Sequence, residues 1–240
     1  HDLHAIQRRG QVKAQLLVPA AGIGTRLGAE APKALTEIEG KPLLVRTLER
    51  AAIPECLSPA VITIPPESRE AFDAALRAWF PAHAYHLAAG GRERQHSVAN
   101  GLVALDADTE IVIIHDAARP FVPVEAVRAS VEAAIAYGAA TVAIPVTDTI
   151  LEGDDAAFLE RTPERRKLWA CQTPQTFRVT VIREAHARAA RDDMLLTDDA
   201  SLVRAYGGKV KLVLGSPLNF KITTPADLQL ARLIIREGLT

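Results

Sequence analysis

Cysteine, net charge and long apolar runs are all scarce in this chain, and each absence excludes a class of protein. Two cysteines, Cys56 and Cys171, among 240 residues are too few for a disulfide framework or a zinc site of known spacing, and we interpret both as buried thiols in a reducing compartment. The formal net charge of −1 implies no general affinity for nucleic acid or acidic lipid. No apolar run approaches the roughly 18 residues of a membrane-spanning helix.

The first residues, His1 to Gly10, carry charge but lack the apolar stretch of a secretory signal. We therefore expect a cytoplasmic protein with no membrane partner. Residues 1–12 are predicted to be a leader or a disordered segment, and residues 13–240 are predicted to form a single domain.

Short apolar runs alternate with helical patterns, which predicts an α/β fold. The runs predicted as strands buried on both faces are Gln15 to Pro19, Ala60 to Ile64, Glu110 to His115, Ala139 to Val146 and Val210 to Leu214. The segments predicted as helices are Pro42 to Ala52, Glu67 to Trp79, Arg94 to Leu105, Val124 to Tyr137 and Asp198 to Tyr206. We predict a Rossmann-like arrangement, in which helices flank a mostly parallel twisted sheet.

One segment interrupts this alternation. Thr147 to Lys167 is rich in Asp, Glu and Arg and has a turn signal at Gly153. Its composition suits a solvated loop and an interaction arm equally well, but a loop this long in a compact domain is usually functional. We predict an arm that leaves the domain at about residues 147–170.

A glycine-rich turn follows the first predicted strand, from Ala20 to Gly28. Small residues there let backbone N–H groups approach an anion closely. The turn is followed by alanine where a Walker A loop has lysine, and its glycine spacing is one residue too long for the dinucleotide fingerprint. Lys33 lies seven residues after Arg26, and two cations beside a phosphate loop suit nucleotidyl transfer. The alternative is a turn with two surface cations.

Asp116 follows an apolar strand, so it is expected at the sheet edge where open α/β folds bind ligands. Magnesium takes only one or two protein carboxylates and completes its shell with phosphate oxygens and water. We therefore predict that Asp116 binds Mg²⁺, although a strand-end Asp alone more commonly caps a turn or pairs with a cation such as Arg119. His115 is interpreted as structural, because a phosphate monoester nucleophile is already ionised near pH 7 and needs no base.

Other catalytic chemistries find little support. There is no Gly-x-Ser-x-Gly elbow and no His-Glu-x-x-His. Ser97 follows His96, but adjacent residues of a helix point to different faces. Trp79 and Trp169 are interpreted as packing residues.

Several motifs occur in order along the chain: Pro19 to Arg26, Pro32-Lys33, Gly90 to Ser97, His115 to Pro120, Pro145 to Thr149, Leu168 to Gln175, Thr197 to Ser201 and Asn219 to Thr223. As an ordered set they resemble the methylerythritol phosphate cytidylyltransferases, over essentially the whole chain after the leader. The resemblance implies Mg²⁺-dependent transfer of CMP from CTP to 2-C-methyl-D-erythritol 4-phosphate, in isoprenoid precursor synthesis. The products would be 4-diphosphocytidyl-2-C-methyl-D-erythritol and pyrophosphate.

The resemblance also implies roles for individual residues. Catalytic roles are implied for Arg26, Lys33, Arg165 and Lys221. Contacts with the two substrates are implied for Ala20, Ala21, Gly22, Gly24, Gly91, Ser97, Asp116, Arg119, Thr149, Thr173 and Thr197. The arm would reach over a partner subunit, which implies a homodimer whose sites are completed in trans. Ala34 and Arg92 depart from the usual family pattern, and both are expected away from the reacting centre.

Three alternatives stay open at this stage. A ribitol 5-phosphate cytidylyltransferase would use the same cations, and transfer from UTP or GTP is compatible with the same physics. A non-catalytic regulatory module would keep the glycine-rich turn but has no reason to combine Lys33, Asp116 and Lys221. Apart from the resemblance, Lys221 has a claim of its own because it lies just before a predicted helix start at Pro225. Arg165 lies in a charge run typical of a solvated face.

Overall fold

The structure is a computed structural model that describes residues 12–22, 32–53 and 59–239. Predictions that concern the leader, Gly24, Arg26 and Cys56 lie outside these residues.

A central sheet organises the described residues. The strands are β1 (Ala14–Pro19), β2 (Glu37–Ile38), β3 (Lys41–Pro42), β4 (Ala60–Ile64), β5 (Tyr85–Ala89), β6 (Ile111–Ile114), β7 (Ala139–Pro145), β8 (Glu152–Gly153), β9 (Leu159–Arg161), β10 (Trp169–Arg178) and β11 (Lys211–Leu214). Seven of them form one sheet in the order β11-β7-β10-β6-β1-β4-β5. Within this sheet β10 runs antiparallel to both of its neighbours, and the other pairings are parallel.

Helices cover both faces of this sheet. They are α1 (Leu43–Ala51), α2 (Arg69–Arg77), α3 (Arg94–Val103), α4 (Val124–Tyr137), α5 (Val179–Arg191), α6 (Asp199–Ala205) and α7 (Pro225–Arg236). Leu44 of α1, Phe72 of α2 and Val127 of α4 belong to one buried cluster. A second cluster contains residues of α3, α5 and α6. The two clusters lie on opposite faces of the sheet. Both include residues of β1 and β6, because successive side chains of a strand point to alternate faces.

The last helix packs on a separate, smaller core. Ala231 and Ile234 of α7 are buried with Ile222, and this cluster includes Ile38 and Phe121. A capping box begins α7: the Thr224 hydroxyl accepts from the N–H of Asp227, and the Asp227 carboxylate accepts from the N–H of Thr224 at 2.7 Å. These contacts hold the segment that carries Lys221.

Residues 147–168 leave the sheet between β7 and β10. The segment folds back as the short antiparallel pair β8–β9, whose residues are all exposed. At its base, the N–H of Val146 donates to the carbonyl of Leu168 at 3.1 Å. Phe158 and Leu159 at its end are 72% and 63% exposed, so the segment packs little apolar surface against the rest of the described chain.

The predicted α/β fold, with a mostly parallel sheet and helices on both faces, is confirmed. The strand prediction is wrong at β11, which is an edge strand and not buried on both faces: Leu214 is 66% exposed. Strands β5 and β10 and helix α5 were not predicted. The prediction of a buried thiol at Cys171 is also wrong, because this residue is exposed.

The two tryptophans lie at the surface. Trp79 and Trp169 are 45% and 38% exposed, so their packing is partial. The Nζ of Lys41 lies 4.4 Å above the ring centroid of Trp79, which gives that ring a cation–π contact.

Among the helices of the described residues, none combines the length and the apolar character that crossing a bilayer requires.

Gly101 sets how closely α3 approaches the sheet. A Cβ built on it would lie 2.3 Å from Leu17 Cδ1 and 3.1 Å from Thr63 Cγ2. Gly101→Ala should therefore destabilise the protein by about 1–3 kcal/mol through overpacking. The matched control is Val103→Ala on the same helix, where the side chain is 84% exposed and the expected change is within about 0.5 kcal/mol. Urea unfolding measures both, and equal effects of the two substitutions would contradict the close packing.

Candidate active site

A pocket of about 240 Å³ opens at the carboxyl edge of the sheet. Its lining includes Gly22 after β1, Asp116 after β6, and the lysines Lys33 and Lys221. Lys33 begins a short 3₁₀ helix, Lys33–Leu35, and Lys221 lies between β11 and α7. Ala20 lines it as well, so five predicted site residues from distant parts of the chain share one pocket. Ala34, which we expected away from the reacting centre, also lines it.

The start of the glycine-rich turn is fixed to the neighbouring strand. The N–H of Ala20 donates to the carbonyl of Thr63 at 2.8 Å, and the N–H of Gly90 donates to the carbonyl of Ile64 at 2.7 Å. A Cβ on Gly90 would lie 2.4 Å from Cβ of Ala21, so only glycine lets the turns after β1 and β5 approach this closely. The rest of the turn, with Gly24 and Arg26, lies outside the described residues.

Asp116 is the acceptor at the centre of a cation cluster. Its Oδ2 lies 2.9 Å from Lys221 Nζ and 3.9 Å from Arg119 Nε. Its Oδ1 lies 3.1 Å from Arg94 Nε. The side chain of Asp116 is 10% exposed, so these pairs are poorly screened by water.

The cluster determines how Asp116 is ionised. Burial alone would raise the pKa of Asp116, but the charges of Arg94, Lys221 and Arg119 outweigh it and hold the pKa well below its usual range. Asp116 is therefore a carboxylate at any pH at which the protein functions. It offers the pocket a fixed negative charge surrounded by positive ones.

A magnesium ion fits this donor set only together with phosphate. Among the described residues, Asp116 is the carboxylate that lines the pocket. The described part of the chain contains no group of three or more His, Cys, Asp or Glu side chains that could hold a metal ion. Magnesium commonly binds through one carboxylate and completes its octahedron with substrate phosphates and water. Asp116 suits an ion that arrives with a nucleotide.

His115 and Thr173 lock the backbone beneath Asp116. His115 Nε2 lies 3.0 Å from the carbonyl of Arg119, which can only accept, so Nε2 carries the hydrogen. Nδ1 then accepts from the Thr173 hydroxyl at 2.9 Å, and that hydroxyl accepts from the N–H of Asp116 at 3.0 Å. The Thr173 oxygen thus has two internal partners; its predicted substrate contact stays a prediction.

Gly91 and Ser97 form one unit beside the pocket. The N–H of Gly91 donates to Ser97 Oγ at 3.0 Å, and Ser97 is buried. A Cβ on Gly91 would lie 2.4 Å from Cβ of His96. This turn presents backbone rather than side chains next to Ala21, and its contact with the nucleotide stays a prediction.

Other predicted residues lie at the rim or outside it. Arg119 donates to the carbonyl of Asn219 at 2.7 Å. Arg165, Thr149 and Thr197 are exposed, and Arg165 donates to the carbonyl of Thr147 at 2.9 Å at the base of the arm. Within this chain these three side chains do not join the pocket lining that the described residues form.

Two of the polar residues that line the pocket had no predicted role. Arg94 and Thr223 both line the pocket. Arg94 lies in the Gly90 to Ser97 motif, but its partners Asp116 and Asp199 are 22 and 105 residues away, and no local pattern announces such a pairing. Thr223 is the last residue of the Asn219 to Thr223 motif, which also contains Lys221, so the sequence did offer a signal for it.

The pocket at the carboxyl edge of the sheet combines two lysines and a strand-end aspartate with the start of a glycine-rich turn, an arrangement that suits transfer of a nucleotidyl group. The fold and the pocket therefore point to a nucleotidyltransferase. Comparison with known proteins gives the family. A family model described as 2-C-methyl-D-erythritol 4-phosphate cytidylyltransferase matches residues 14–237, and the chain belongs to this family.

Relatives and solved structures agree with this assignment. A protein of Geobacillus kaustophilus (strain HTA426) with the same name is 45% identical over 94% of this chain and 98% of its own length. The crystal structure of 2-C-methyl-D-erythritol 4-phosphate cytidylyltransferase from Thermus thermophilus has a TM-score of 0.77 and 36% identity, covering 93% of this chain and 99% of that one. That of 4-diphosphocytidyl-2C-methyl-D-erythritol synthase from Anaerococcus prevotii DSM 20548 has a TM-score of 0.82 and 25% identity, covering 93% and 96%.

The buried imidazole makes stability depend on pH. Burial lowers the pKa of His115 from its ordinary 6.5 to about 4. Between these values the unfolded chain binds a proton that the folded protein does not, so acidification favours unfolding. The free energy of unfolding should fall by about 3 kcal/mol from pH 7 to pH 4 through this group, at ~1.4 kcal/mol per pKa unit.

Urea unfolding at several pH values measures this dependence. His115→Asn should be less stable at pH 7 and should lose this part of the slope between pH 7 and pH 4. His83→Asn, at an exposed position, should keep the slope of the unmodified protein. An unchanged slope in the His115 variant would contradict the assignment of a buried neutral imidazole.

Proposed function

We propose that the protein transfers CMP from CTP to 2-C-methyl-D-erythritol 4-phosphate, releasing pyrophosphate. One observation carries the proposal: in a chain of this family, Lys33, Asp116 and Lys221 line one pocket beside a glycine-bearing turn. The names of the relatives supply the nucleotide and the acceptor. Those relatives are not named for ribitol 5-phosphate, so that alternative is not favoured, and a module without turnover does not fit an enzyme family.

The charge distribution suits attack on an α-phosphate. The acceptor phosphate is ionised near pH 7, so the reaction needs no general base. Negative charge grows on the equatorial oxygens and on the departing pyrophosphate, where fixed cations stabilise it more than the ground state. Lys33 and Lys221 supply two such cations in the pocket, and Arg26 is proposed to supply another.

Lys221 has a partner that competes with substrate. Its Nζ lies 2.9 Å from Asp116 Oδ2, and its side chain is 40% exposed. Asp116 would hold a magnesium ion, whose charge would offset the negative charge that develops on the phosphates. The exposed Lys221 ammonium group would also be able to reach the phosphate oxygens of the substrates, where its positive charge would stabilise the transition state.

Arg165 and Thr149 are proposed to act across a dimer. Both lie on exposed parts of residues 147–168 and away from the pocket of their own chain. The arm carries exposed apolar side chains, Phe158 and Leu159 among them, which a second subunit would cover. The proposed enzyme is therefore a homodimer, and its cytoplasmic location is proposed from its sparse cysteine content.

Pyrophosphate release tests the reaction. With CTP, 2-C-methyl-D-erythritol 4-phosphate and Mg²⁺, the unmodified protein should release pyrophosphate, and removal of Mg²⁺ should abolish the reaction. Lys33→Ala should lower kcat by about 10²- to 10³-fold, as expected for loss of a group that stabilises the transition state. Lys211→Ala, an exposed lysine near the Tyr137 ring, is the matched control and should keep kcat.

The same assay distinguishes the alternatives. Faster turnover with ribitol 5-phosphate, or with UTP or GTP in place of CTP, would replace the proposed substrates. Near-normal turnover by Lys33→Ala would remove that residue from the mechanism.

Subunit exchange tests the shared site. Arg165→Ala and Lys33→Ala homodimers should each be nearly inactive with the polyol phosphate. After mixing and exchange, each hybrid dimer has one site with an intact Lys33 and an intact partner arm, so about a quarter of all sites should recover. Recovered pyrophosphate release over time measures this. Lack of recovery, once mass spectrometry shows that hybrids have formed, would mean that Arg165 acts within its own subunit or not at all.

A further inference from the structure

A series of charged side chains runs from behind the pocket to its edge. Arg94, the first residue of α3, donates through Nε to Asp116 Oδ1 at 3.1 Å and through Nη1 to Asp199 Oδ2 at 2.7 Å. The other oxygen of Asp199 lies 3.1 Å from Nε2 of His186 on α5. The series therefore joins the pocket to α3, α5 and α6.

The far end of this series is firmly held. Asp199 is 1% exposed and His186 is 7% exposed. The N–H groups of Asp199 and Ala200 donate to Gln175 Oε1 at 2.9 and 3.0 Å, so α6 is fixed to β10. Asp199 lies outside the pocket lining; any effect that it has on the site must pass through Arg94 or through the surrounding packing.

The two oxygens of Asp116 have different partners. Oδ1 accepts from Arg94, and Oδ2 accepts from Lys221. The Arg94 side chain is 25% exposed and bridges two carboxylates, whereas Lys221 is 40% exposed and pairs with Asp116. Arg94 is thus held between two carboxylates, and Lys221 is the more exposed of these two partners of Asp116.

We infer that Arg94 is a positioning residue. Its guanidinium is held by Asp199 on one side and binds Asp116 Oδ1 on the other, so that Asp116 Oδ2 faces the pocket and the metal–nucleotide complex. The inference rests on the proposed function. A planar guanidinium can engage two carboxylates at once, and an ammonium group cannot keep that geometry. Arg94→Lys therefore retains the charge and loses the bridge.

Manganese titration in the presence of CTP, followed by electron paramagnetic resonance, tests the inference without an acceptor. Arg94→Lys should weaken Mn²⁺ binding by about 10- to 100-fold, the usual effect of losing a residue that orients a metal ligand. Asp199→Ala should cause a comparable loss, because it releases the far end of Arg94. Asp199→Asn retains an acceptor oxygen for Arg94 and a donor toward His186, so it should recover most of the affinity.

Further measurements separate positioning from general damage. In turnover, Arg94→Lys should lower kcat and raise the Mg²⁺ concentration at half-maximal rate, whereas the affinity for CTP measured without divalent metal should change less than about twofold. The Arg94→Lys/Asp199→Ala double variant should lose little more than either single variant, since both break one series. Arg183→Lys is the control: this arginine donates to the carbonyl of Leu102 on α3, away from the pocket, and its variant should bind Mn²⁺ like the unmodified protein.

Several results would overturn the inference. An Asp199→Ala variant with the Mn²⁺ affinity of the unmodified protein would show that the position of the Arg94 guanidinium does not depend on Asp199. A large loss of CTP affinity in Arg94→Lys when divalent metal is absent would make Arg94 a direct nucleotide contact. If Arg94→Lys or Asp199→Ala fails to fold, the isosteric Asp199→Asn variant provides the test. Mn²⁺ affinity weakened by about 10-fold or more in that variant would contradict the predicted recovery. Failure of the unmodified protein to use 2-C-methyl-D-erythritol 4-phosphate would count against the proposed function alone.

Discussion

The carboxylate of Asp116, buried among Arg94, Arg119 and Lys221, is the interaction on which the pocket depends. Three cations around one carboxylate leave a local excess of positive charge, although the whole chain has a formal net charge of −1. Without Asp116 the cations would repel one another in a poorly screened place. With it they stay gathered, and the remaining charge is available to an anionic ligand.

The antiparallel strand β10 supports the backbone of Asp116. Its pairing with β7 shifts register between Cys171 and Gln175, and the irregular part carries Thr173 beneath the N–H of Asp116. The same stretch reaches the other side of the pocket, where Asn219 Nδ2 donates to the carbonyl of Thr173 at 2.8 Å. One irregular stretch of strand therefore ties β6, and the segment leading to Lys221, to a common frame.

The sequence predicted most reliably what is buried on both faces. Runs such as Ala60–Ile64 and Ile111–Ile114 are apolar almost throughout, and the strands were found close to their true bounds. Strand β5 alternates buried and exposed residues, and β10 contains Gln, Thr and Pro, so neither has the apolar run that marks a central strand. The failure at β11 has the opposite cause: its residues are mostly apolar, but its edge position is a property of topology alone.

The site residues that could be predicted likewise differ from those that could not in whether their signal is local in the sequence. Lys33, Asp116 and Lys221 could be named because each belongs to a local pattern next to a predicted strand or helix end, and all three line the pocket. Arg94 could not be named, because its importance comes from Asp116 and Asp199, which only the fold brings to it. The exposure of Cys171 was misjudged for the same reason: burial depends on neighbours along the sheet, and a single residue does not reveal them.

The attachment of α7 has a consequence for the order in which the molecule becomes complete during synthesis. The ribosome makes every strand of the central sheet before it makes residues 225–236. Until that helix packs on the small core of Ile222 and Phe121, the segment that carries Lys221 has the hydrogen bonds of Asn219 and Ile222 but lacks the apolar packing that α7 adds. A folding intermediate in which the sheet has formed and α7 has not yet packed would therefore hold Lys33 and Asp116 at the sheet edge before Lys221 is fixed beside them.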